Sequence, residues 1–108
     1  MHNELAALTD RINGLLARME RRDYPSRARL EDTLTDGYAY ALSLDAECER
    51  IERRLAEHAA ELTEVSGEEH TRQISTLAQL LGRRRDELDS LRGLLAILRA
   101  GVQEPRVA

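Results

Sequence analysis

The side chains best suited to chemistry in this sequence are two histidines, one cysteine and two clusters of charge. His58 and His70 are accompanied by Glu57, Glu61 and Glu69. Two imidazoles and a carboxylate can hold a divalent transition ion, so a metal site could assemble here if the chain reversed between the histidines. The inward-facing glutamate-x-x-histidine pairs of metal-binding helical bundles are missing. A histidine on a narrow helical seam more commonly packs in a partly solvated position. No metal ligand and no cofactor are expected on that balance.

Cys48 is the single cysteine. It excludes an intrachain disulfide and any zinc site built from several thiolates, and it suits a reducing compartment. Glu47 and Glu49 flank it, and their negative charge disfavours the thiolate that a nucleophile needs. Cys48 therefore reads as a small buried hydrophobe. No nucleophile elbow, glycine-rich phosphate loop or serine-histidine-aspartate order is present. No catalytic residue is expected, and the chain does not read as an enzyme.

The basic cluster is Arg83, Arg84 and Arg85, which could contact phosphate together with Arg50, Arg53 and Arg54 on an antiparallel neighbour. Glu47, Glu49, Glu52, Asp86 and Glu87 interleave with these arginines at spacings suited to ion pairs within and between helices. No aromatic residue lies near to stack a base. Nucleic acid is therefore not the expected partner, in keeping with a net charge of −4 from 20 acidic and 16 basic residues. The acidic cluster is Glu61, Glu64, Glu68 and Glu69, with no arginine between Arg54 and Arg72. Glu68 and Glu69 suit the start of a helix through its dipole; Glu61 and Glu64, at the end of the preceding one, gain nothing from that effect. This acidic stretch is the expected surface for a protein partner.

The elements that must carry these residues follow from apolar spacing. Leu5, Leu8, Ile12, Leu15 and Met19 recur in steps of three and four, which predicts an amphipathic helix over about 3–23. Asp23-Tyr24-Pro25-Ser26 interrupts it, since proline disfavours a helical residue before it but is tolerated in a first turn. A second helix, about 25–65, carries Leu30, Leu34, Gly37, Ala41, Leu44, Cys48, Ile51, Leu55, His58, Leu62 and Val65 as a heptad seam. The phase breaks before the next series, Ile74, Leu77, Leu81, Arg84, Leu88, Leu91, Leu95, Leu98 and Val102. Ser66 with Glu69 three residues on has the pattern of a capping box. A hairpin at Ser66-Gly67 and a third helix over about 67–100 are predicted, with Gly101 and Pro105 ending that helix and 101–108 as a tail.

The fold class expected is all-α, in a single helical domain over 1–108. Three antiparallel helices form a small bundle, because the short first helix covers only half of the second. The remainder of helices 2 and 3 forms a projecting two-helix antiparallel coiled-coil arm. The bundle end carries more apolar positions than it can readily bury, notably Leu42, Leu94 and Ile97, which points to a homodimer. A core without tryptophan or phenylalanine must be leucine- and alanine-rich. With arginine as the sole basic residue, that composition suggests a GC-rich bacterial genome. No stretch approaches the roughly 18 apolar residues of a membrane span, and Met1 to Asp10 lacks a signal-peptide pattern, so a cytoplasmic location is expected.

The expected function is a noncatalytic coiled-coil module for protein–protein interaction, an adaptor or structural accessory whose arm tip or flank contacts a partner. A body bearing an acid-tipped coiled coil resembles, in shape, the factors that insert an arm into the secondary channel of bacterial RNA polymerase. That resemblance implies the alternative, a regulator of transcription or nucleic-acid machinery acting through the acidic tip or the arginine cluster.

Overall fold

The computed structural model describes residues 3–64 and 67–103, with the backbone only for 62–64. Three helices occupy almost all of this: α1 (Glu4–Glu20), α2 (Arg27–Glu64) and α3 (Glu68–Gln103). No strand occurs among the described residues, and none of their helices is long and apolar enough to cross a membrane. The all-α, three-helix expectation holds.

Local chemistry sets the helix ends. Asn3 caps α1, its side-chain oxygen accepting from the Ala6 amide at 3.1 Å. The other end of α1 comes three residues earlier than periodicity suggests. Arg22 adopts φ 60°, its amide donates to the Met19 carbonyl at 3.0 Å, and the Asp23 amide donates to the Arg18 carbonyl at 2.9 Å. These two bonds make a Schellman ending, with arginine where glycine is usual. The contact that commonly accompanies it is apolar; here it is an ion pair, Arg18 Nε to Asp23 Oδ2 at 3.1 Å.

Pro25 is buried, and Ser26 then caps α2 by accepting from the Arg29 amide at 3.2 Å. That cap places the helix start at Arg27, two residues after the expected one. At the third helix, the Thr71 amide donates to the Gly67 carbonyl at 3.2 Å. Ser66, the other half of the expected capping box, lies outside the described residues, as does Val65. The distal end of α3 needs a correction: Gly101 does not stop the helix, which runs on to Gln103. A Cβ on Gly101 would overlap the Met19 side chain. This glycine lies within the helix, with the end of the Met19 side chain packed beside it.

The chain forms two compact units, one of Met1–Ala41 with Asp89–Ala108 and the other of Leu42–Leu88. In the first, α1, the start of α2 and the end of α3 pack as a three-helix bundle around Leu8, Ile12, Leu15, Leu30, Leu91, Leu95 and Leu98. Thr33 is fully buried in this core, whereas the expected seam residue Leu34 is only half-buried. The Thr33 hydroxyl donates to the Arg29 carbonyl at 2.9 Å and accepts from Arg11 Nε at 3.1 Å, so the polar group is satisfied. Arg11 also pairs with Asp36 at 2.8 Å, tying α1 to α2. Gly37 lies so close to Leu95 that a Cβ there would overlap its methyl groups.

In the second unit the rest of α2 and α3 lie antiparallel. Cys48, Ile51, Leu77 and Leu81 form its core, with Leu55 and Leu80 packed against it. Leu44 and Leu88 are buried as well. Each buried position falls on the predicted heptad, because two facing helices bury one narrow stripe apiece.

Candidate functional site

The best-assembled cluster of chemically capable side chains lies in the helix-pair unit. His58 and Glu61 are one turn apart on α2 and so share a face, while His70 faces them from the beginning of α3. The two Nδ1 atoms are 3.3 Å apart. Glu61 Oε2 stands 3.4 Å from His70 Nδ1 and 3.7 Å from His58 Nδ1. The rings are tilted by 55° with centroids 5.5 Å apart. The imidazoles are largely sheltered, at 16% and 29% exposure, and Glu61 is open at 57%. Both imidazoles weighed in the sequence are therefore brought together, with Glu61 of the three carboxylates considered there. A hydrogen bond between the rings requires one Nδ1 to carry the hydrogen and the other to accept it.

The described acidic side chains make different contacts. Glu61 turns toward the imidazoles. Glu69 accepts from Arg72 at 3.1 Å and from Gln73 Nε2 at 3.0 Å. Glu68 is exposed in the first turn of α3, and the Glu64 side chain lies outside the described residues. The arginine run divides similarly. Arg84 Nε donates to Glu47 at 3.0 Å, and its other arm donates to Glu87; these two carboxylates hold the guanidinium pKa above its ordinary value. Arg85 pairs with Glu52 across the helices, and Arg83 is exposed. Alternating charge along both helices had pointed to such interhelical pairs.

Cys48 is buried in the pair's core. Its pKa is raised, first by desolvation and then by Asp45, Glu47 and Glu52, with Arg85 opposing them. The thiol is a packing group.

The bundle unit contributes a feature that no motif announces. An apolar groove runs between α1 and α3, lined by Leu16, Ala17, Met19, Leu94, Ile97 and Gly101 among others. Ile97 lines it and yet is 58% exposed. Leu94 and Ile97 had stood out as surplus apolar positions; their opening onto α1 depends on the close approach at Gly101, which periodicity does not encode.

Comparison with protein-family models, with curated proteins and with solved structures finds no match.

Proposed function

We propose that the protein is a noncatalytic coiled-coil interaction module that self-associates through the bundle unit and contacts a protein partner through its helix surfaces or acidic stretch. The observation that carries this reading is the groove beside Ile97. Apolar side chains form most of its lining, with Asn13 and Glu20 beside them, and Ile97 projects from it exposed. Such a face is self-complementary, since a twofold axis can set Ile97 of each copy into the other's groove. Exposed Ile97 adjoins half-buried Leu16, Met19 and Leu94, and a contiguous apolar patch supports contact with another chain. Cys48 is meanwhile packed within the core, and Arg84 and Arg85 are paired with carboxylates. The part played by the acidic stretch rests on the four glutamates themselves.

Sedimentation equilibrium at micromolar concentration tests self-association. The wild-type chain gives a dimer mass and Ile97→Glu a monomer mass; a monomer for both contradicts the reading. The partner surface is tested by replacing Glu64, Glu68 and Glu69 together with glutamine and following partner capture. Captured chains are lost while helicity persists; undiminished capture excludes the acidic stretch.

A further inference from the structure

Beyond the interaction reading, and independently of it, we infer that His58, Glu61 and His70 form a binding site for Zn2+ that staples α2 to α3. The argument is geometric. A tetrahedral ion with bonds of about 2.0–2.1 Å to nitrogen and oxygen separates its donor atoms by about 3.3–3.4 Å. The three donor atoms here are 3.3, 3.4 and 3.7 Å apart, close to one face of such a tetrahedron. Octahedral coordination with bonds of about 2.1 Å brings neighbouring donors to about 3.0 Å, tighter than any of the three separations. Two imidazoles also reject magnesium and calcium, which favour oxygen, while suiting zinc and its neighbours.

The remaining observations agree with an ion at this point. The three donor atoms are the only described group of histidine, cysteine, aspartate and glutamate that converges closely enough to hold one. Both imidazoles direct the same type of nitrogen at one place from opposite helices, although hydrogen bonding lets only one of these atoms donate to the other. Moving the hydrogens to Nε2 supplies two Nδ1 lone pairs to the ion, so the zinc replaces the single hydrogen shared between the rings. Glu61 contributes negative charge from the same face as His58. Its exposure leaves the fourth position open to water.

The experiment is calorimetric titration of the chelator-treated full chain with Zn2+, accompanied by Co2+ absorption spectra. One ion binds per chain, in the Ile97→Glu variant as in the wild type, and Co2+ gives the intense visible bands of four-coordinate geometry. His58→Ala and His70→Ala each weaken binding by at least about a hundredfold, and Glu61→Gln by at least about tenfold, losses at or above those seen when only supporting residues are removed. His2→Ala, at the third histidine of the sequence, leaves binding unchanged. At a free zinc concentration of 100 times Kd, the folded-to-unfolded ratio rises about a hundredfold. Circular dichroism checks that the variants fold, and because the two histidines lie on different helices, either one suffices. Absence of saturable binding, or binding insensitive to both histidine substitutions, overturns the inference. A monomeric chain that still binds zinc separates this site from the dimer reading.

Discussion

Arg22 occupies a left-handed conformation that side chains with a Cβ adopt only at a cost of about 1–2 kcal/mol. Arg22→Gly removes that cost, against a smaller entropic penalty, and raises unfolding stability by about 1 kcal/mol in denaturant titration. Next to it, the hydrogen bond and then the charge of Arg18 hold the Asp23 carboxyl below the ordinary aspartate range, with Arg21 assisting. A lowered folded pKa means that the contribution is present above the ordinary carboxyl pKa and is lost as pH falls through the folded value. Acid titration of stability therefore shows a component that Asp23→Asn removes; identical profiles for both chains contradict it. Cys48 was legible because it falls on the heptad seam, and burial there is the first cause of its raised pKa. Thr33 was not, because the group that satisfies it, Arg11, comes from another helix.

At the scale of elements, periodicity located the buried stripe of α3 in both units and was a weaker guide at the start of α2. Leu77, Leu81, Leu88, Leu91, Leu95 and Leu98 are buried as the α3 series requires. Near the start of α2 the added helix α1 shifts the buried face, taking Thr33 inside and leaving Leu34 half-buried. Helix ends were read less well, since a glycine signals either a stop or a close contact. Gly14 and Gly37 both lie inside helices, and substitution distinguishes an open position from a close contact. A Cβ at Gly14 meets nothing within 4 Å, so Gly14→Ala stabilises by about 1 kcal/mol through helix propensity. A Cβ at Gly37 overlaps Leu95, so Gly37→Ala destabilises by about 1–3 kcal/mol through overpacking. Thermal unfolding of the two variants is expected to shift in opposite directions, and a shared direction refutes this division.

For the whole molecule, composition and periodicity indicated an all-α chain and its three helices, while the candidate sites depended on tertiary register. The two histidines converge because α2 and α3 pair at the register that sets Glu47 beside Arg84 and Glu52 beside Arg85. The groove at Ile97 similarly depends on the approach of Met19 to Gly101. On the proposed reading, exposed Ile97 and the groove beside it form the contact between two copies. The most direct test of that account is isotope-filtered NMR on a mixture of differently labelled chains. Intermolecular contacts between the Ile97 methyl groups and those of Leu16 and Met19 are predicted, and they should vanish in Ile97→Glu. A mixed sample with no intermolecular contact at Ile97, at concentrations where the chain sediments as a single species, would contradict it.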